Sequence, residues 1–114
     1  MKIKEIVDIV NGKVVCGKDR LNAEIERGFA SDLMSDVLTL DTDHILLITG
    51  LANLQAIRTA EMSDITCIIF ARNKKVSREM IDLAAENQMV LIECACSVFK
   101  TAGELYKAGI KPVF

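Results

Sequence analysis

Ser31, Asp32, Thr49, Gly50, Asn53 and Arg72 are the residues whose types and spacing suit a binding site. They offer a carboxylate, two hydroxyls, a carboxamide, a guanidinium and a glycine that lets backbone amides come close to a ligand. Ser31-Asp32, Thr49-Gly50 and Arg72 each follow a run that reads as a strand, and Asn53 precedes a segment that reads as a helix. Open parallel sheets bind ligands at the carboxyl ends of their strands, and helix N-termini present free amides to anions. A nucleotide or another anion suits this set. The same residues also have plain architectural uses. Asp32, Asn53 and Ser77 suit helix N-caps, and Gly50 suits a turn. Both readings stand at the level of sequence.

Signatures of covalent or phosphoryl chemistry are absent. There is no G-x-x-x-x-G-K-[ST] loop, no G-x-G-x-x-G fingerprint and no G-x-S-x-G elbow. His44 is the only histidine and stands beside Asp41 and Asp43. It is either a metal ligand with those aspartates or a surface or capping residue. The cysteines, Cys16, Cys67, Cys94 and Cys96, form no C-x-x-C knuckle. Cys67 lies in an apolar run, so structural thiols are expected, with a redox or metal role for Cys94 and Cys96 as the alternative. No cofactor is expected. An enzyme would need a partner chain to complete its site.

The elements that must position these residues follow from composition and pattern. At 114 residues the chain makes one domain, 1–114. Apolar residues at 51% against 26% charged exclude disorder. Only 4% aromatics and a single proline speak against an all-β sandwich, and Ile, Leu, Val, Ala and Met must build the core. A net charge of −2 with scattered Lys and Arg speaks against nucleic acid as a partner. The longest uncharged stretch, His44 to Ile57, is too short for a membrane helix. Glu5 and Asp8 interrupt the place of a signal peptide's apolar run, so a cytoplasmic protein is expected.

Apolar runs at Ile45–Thr49, Thr66–Ala71 and Met89–Ile92 recur about every twenty-two residues and lack alternation. They read as strands covered on both faces. Helices capped by Asn53, Ser77 and Ser97 follow them, with Leu54, Ile57, Ala60 and Met62, then Met80, Ile81, Ala84 and Ala85, then Val98, Phe99, Ala102, Leu105 and Tyr106 directed inward. Upstream, Lys2 to Val10 reads as a helix, Val14–Cys16 and Ile25–Ala30 as strands, and Leu33 to Leu40 as a helix capped by Ser31 or Asp32. The expected fold is a three-layer α/β/α domain with a mostly parallel sheet of about four or five strands.

The segment Gly28-Phe29-Ala30-Ser31-Asp32-Leu33-Met34-Ser35-Asp36-Val37-Leu38 resembles the DRTGG domain, as do Ile45–Leu51 and the helix containing Arg58-Thr59-Ala60-Glu61-Met62. The likeness continues through Glu104-Leu105-Tyr106-Lys107-Ala108-Gly109 and so covers nearly the whole chain. Asp32, Thr49 and Gly50 match the name-giving motif, whereas Leu33 stands in place of its Arg and Leu51 in place of its second Gly. The resemblance implies a fold like the amino-terminal domain of the bacterial phosphocarrier-protein kinase/phosphorylase, with no catalytic residues to transfer. It also implies a regulatory or dimer-forming role, as in relatives joined to phosphotransacetylase or set between CBS domains of pyrophosphatases. The expected function is a non-catalytic regulatory or interaction module that homodimerises, with a partner enzyme possible. The alternative is a sensor of a nucleotide or other anionic small molecule at the strand ends. The helices carry more Ala and Met than the sheet needs, so an exposed surplus on one helix face would mark the dimer contact.

Overall fold

Aliphatic runs without alternation form the middle of the sheet. The strands β3 (Ile45–Thr49), β4 (Cys67–Phe70) and β5 (Val90–Glu93) are buried along their whole length. Each needs apolar residues at every position because both its faces are covered. In the computed structural model, which describes residues 1–114, they are joined by β1 (Lys13–Cys16), β2 (Arg27–Ala30) and β6 (Lys111–Pro112). The six strands lie in the order β1-β5-β4-β3-β2-β6, all parallel except β1, which runs antiparallel to β5.

Five helices cover the sheet: α1 (Ile3–Val10), α2 (Met34–Val37), α3 (Leu54–Met62), α4 (Arg78–Glu86) and α5 (Val98–Ala108). The period of two sorts each buried strand between two cores. Ile45, Leu47, Ile68, Phe70 and Leu91 meet α2, α3 and α4 on one face. Leu46, Ile48, Cys67, Ile69, Val90 and Ile92 meet α1 and α5 on the other. The three-layer α/β/α architecture is thus the expected one. No helix is long and apolar enough to cross a membrane.

Asn53, Ser77 and Ser97 each accept the backbone N–H three residues on, at 3.1, 3.2 and 3.0 Å, and so start α3, α4 and α5. Gly109, with φ of 116°, ends α5 in the left-handed region.

Several expectations are corrected. The sheet has a sixth strand because Lys111 and Pro112 pair with β2 at its edge, where a residue without N–H is tolerated. Two residues carry no alternation to announce them. The helix expected over Leu33 to Leu40 shrinks to Met34–Val37, and its N-cap is Leu33, with no side-chain cap. Ser31 and Asp32 bond elsewhere. Met62, Phe99 and Tyr106 are 67%, 89% and 68% exposed instead of inward-facing. On α5 the buried residues are Thr101 and Leu105.

All four cysteines are free thiols. Cys94 Sγ lies 3.5 Å from the Val10 carbonyl oxygen and 3.5 Å from Thr101 Oγ1, holding the end of β5 to α1 and α5. Complete burial pushes the Cys67 thiol from its ordinary 9.0 up to about 12. Between these values the unfolded chain has released a proton that the folded chain keeps. The unfolded state then binds fewer protons, so stability falls as pH rises. Below pH 9 the contribution is complete and flat. Above it, wild type should lose about 1.4 kcal/mol per pH unit relative to Cys67→Ala. Urea unfolding of both proteins at pH 8, 9 and 10 checks this, and parallel curves would refute it.

Candidate functional site

The carboxyl ends of β2, β3 and β4 bring four of the six sequence candidates together. Asp32, just beyond β2, directs Oδ1 at the end of β3. There it accepts the Thr49 hydroxyl at 2.9 Å and the Gly50 N–H at 2.7 Å. Thr49 is fully buried, and its Oγ1 accepts the Leu51 N–H at 3.1 Å. The β2–β3 ladder aligns these groups, since Ala30 pairs with Ile48 and the Ser31 N–H continues the ladder to the Ile48 oxygen. Asp32 is therefore a latch between two neighbouring strand ends.

Arg72, beyond β4, completes the cluster. A β-carbon placed on Gly50 would stand 2.9 Å from Arg72 Nε and 3.2 Å from Nη2, so the guanidinium lies on the glycine. Gly50 does not have a positive φ. Its missing side chain serves the close approach of Arg72, and its backbone needs no left-handed conformation. Arg72 and Asn73 themselves adopt φ of 61° and 59°. Their N–H groups donate to the carbonyls of Cys96 at 2.7 Å and Cys94 at 3.0 Å, which ties the β4–α4 connection to the β5–α5 connection. The Arg72 side chain is exposed and forms no salt bridge.

The other two candidates are placed differently. Ser31 sits beside the cluster, but its Oγ accepts the Leu33 N–H at 3.0 Å in a local turn. Asn53 gives its side-chain oxygen to the N-cap of α3. The backbone N–H and hydroxyl that an anion would need at the end of β3 are already held by Asp32. The guanidinium of Arg72 is the group left free to take a new anionic partner.

Glu93 is a functional candidate that sequence reasoning did not single out. It closes β5 at 9% exposure, accepts the Val76 N–H on Oε2 at 2.8 Å and faces Lys75 Nζ from Oε1 at 3.8 Å. A carboxylate ending an aliphatic run was the only signal for it. His44 is exposed with φ of 59°, and no three His, Cys, Asp or Glu side chains gather where they could hold a metal ion.

A second feature lies along α5. A groove of about 330 Å³ opens between α5 and the β2–β6 edge and is lined by Phe29, Phe99, Tyr106 and Pro112 among others. On the opposite face of β2, beside the core under α2 to α4, Phe114 stacks edge-on against Phe29 with ring centres 6.1 Å apart.

Comparison with known proteins follows the fold. The sequence model of the DRTGG domain matches residues 5–108. No curated protein matches the chain. Among solved structures, the chain is similar to the CBS and DRTGG domains of the regulatory region of Clostridium perfringens pyrophosphatase, complexed with the activator diadenosine tetraphosphate. The TM-score is 0.78 at 14% identity, covering 98% of this chain and 48% of that one. The chain thus spans about half the length of that region, and the likeness is one of fold.

Proposed function

We propose, from the premise that this chain belongs to the DRTGG domain family, that it is a non-catalytic regulatory module acting as a homodimer. One observation carries the reading. Of five aromatic residues, only Phe70 is fully buried, while Phe99 and Tyr106 stand 89% and 68% exposed on α5 at the edge of the groove. A small domain that places its aromatics in water instead of its core is holding them for a partner.

A second copy of the chain fits this face. Phe99 and Tyr106 stand seven residues apart on α5, with Ala102 and Gly103 between them. An antiparallel pair of α5 helices would set each Phe99 against the other chain's Tyr106. The small residues at the midpoint would let the backbones approach. Nothing within 4 Å of a β-carbon at Gly103 obstructs that space. Such a surface is complementary to itself, as a two-fold interface requires. Four free thiols suit the reducing interior of a cell, so we place the dimer in the cytoplasm.

Light scattering at about 50 μM should give the dimer mass, since a micromolar dissociation constant leaves most chains paired there. Phe99→Asp, at a position 89% exposed, should give monomer with an unchanged circular dichroism spectrum. Monomeric wild type would overturn the reading.

A second reading rests on Arg72, an unpaired guanidinium at the strand ends. The chain would sense a nucleotide or other anion there and pass the state to a partner enzyme. The pyrophosphatase region of similar fold, complexed with a nucleotide activator, supports this reading. A thermal-shift screen of nucleotides, phosphates and acyl phosphates tests it. A ligand at one hundred times its dissociation constant should add about 2.7 kcal/mol of stability. No shift with any of them would remove the reading.

A further inference from the structure

We infer that the crevice where β4 and β5 send the chain to opposite faces of the sheet binds the phosphate of a small phosphate ester, gripped by Lys13, Lys74 and Lys75. The inference deepens the sensor reading and depends on it, but moves the ligand away from Asp32.

The fold singles out this crevice. After β4 the chain turns to α4, on the face of α2 and α3. After β5 it turns to α5, on the face of α1. The two connections therefore diverge between neighbouring parallel strands, which is the place where open α/β sheets take ligands. No such divergence occurs at β3, whose connection and that of β4 run to the same face.

A cavity of about 150 Å³ lies there. Its walls come from three separate parts of the chain: Asn11 and Lys13 ahead of and within β1, Asn73, Lys74 and Lys75 after β4, and Glu93 at the end of β5. Three lysines around one cavity stand out in a chain whose net charge is −2. Lys13 and Lys74 form no salt bridge, so their charge is uncompensated. The one carboxylate present is already engaged, since Glu93 accepts the Val76 N–H at 2.8 Å and faces Lys75 at 3.8 Å. It holds Lys75 at the cavity without neutralising the other two cations. Asn11 and Asn73 add amide donors suited to phosphate oxygens.

The cavity has room for a phosphate group and little more. Asn11 also lines a neighbouring cleft of about 390 Å³ between α1 and α5, with Lys100 and Thr101 on its wall. That cleft would take the organic part of the ester.

Amide NMR with 15N-labelled wild-type protein tests the assignment, using inorganic phosphate and adenosine monophosphate as probes. Saturable shifts are expected at Asn11, Lys13, Asn73, Lys74 and Lys75, weakening as salt is raised. Tighter binding of adenosine monophosphate, with shifts spreading to Lys100 and Thr101, would support the ester. Equal binding of the two probes would overturn the ester and leave phosphate alone as the ligand. Lys13→Ala and Lys74→Ala, both exposed and unpaired, should each weaken binding about tenfold, as loss of one charge-assisted contact does. Shifts confined to Asp32, Gly50 and Arg72 that survive both substitutions would overturn the lysine site while leaving a sensor at the strand ends. No saturable shift with either probe would overturn the inference outright.

Discussion

Asp32→Ala should lower the unfolding free energy by about 2–4 kcal/mol, far more than an exposed surface carboxylate ordinarily contributes. The reason is the environment of its two partners. Thr49 and Gly50 are buried at the end of β3, and Asp32 Oδ1 accepts a hydrogen bond from each. Removing the carboxylate strands a hydroxyl and an amide where water reaches them poorly. Asp32→Asn keeps an acceptor oxygen but not the charge, so it should recover roughly half the loss. Urea unfolding of the three proteins measures the series.

The same substitution separates a latch from a ligand contact. A residue that touches an anion through water or metal weakens binding when it is removed. A latch that occupies the donors has the opposite effect. With Asp32 gone, the Gly50 N–H and Thr49 hydroxyl lose their acceptor at the residue against which the Arg72 guanidinium lies. Asp32→Ala should then bind inorganic phosphate beside Arg72 more tightly than wild type. A loss below about 0.5 kcal/mol, the range of ordinary surface substitutions, would sink the latch.

Gly17→Ala should cost about 2–5 kcal/mol and loosen β1 from the sheet. Two independent effects add. Gly17 has φ of 83°, where a β-carbon costs about 1–2 kcal/mol. That β-carbon would also lie 2.6 Å from the Met89 carbonyl oxygen and 2.9 Å from Val90 Cα. Both atoms are backbone at the start of β5, so relief requires the antiparallel β1–β5 ladder to shift, an overpacking cost of about 1–3 kcal/mol. Gly109→Ala is the control. Its φ is 116°, but nothing lies within 4 Å of the added carbon. It should show the conformational cost of about 1–2 kcal/mol alone. Equal midpoints for the two variants in denaturant would show that the β5 backbone yields freely.

The family and the architecture were legible in the residues because they rest on local pattern. Ile45–Thr49 coincides with β3, and the runs around Ile68 and Leu91 lie within one residue or two of β4 and β5. A strand with no polar position can only be covered on both sides. Asn53, Ser77 and Ser97 announced three helix starts because a cap acts over three residues of chain.

What lay beyond the sequence depends on residues distant in the chain. Asp32 reads equally well as an N-cap or as part of a site. Its actual partners, 17 and 18 residues away, exist only once β2 and β3 are paired in register. Gly50 reads as a turn residue until Arg72 is laid on it from the next strand end. Phe99 and Tyr106 belong to an apolar stripe at helical spacing, and periodicity reports which face of a helix is apolar, not whether anything covers it. The surplus expected to stay exposed was one of Ala and Met, yet of the six large apolar residues left exposed three are aromatic (Phe99, Tyr106 and Phe114) and one is a methionine, Met62. Lys74-Lys75 was visible as a pair, but Lys13 joins it only because β1 lies antiparallel beside β5.

Local chemistry therefore determined the three central strands, the starts of α3, α4 and α5 and the family of this chain. Tertiary structure decided which side chains meet. Register and strand order bring together groups separated by tens of residues, and no short-range pattern encodes those distances.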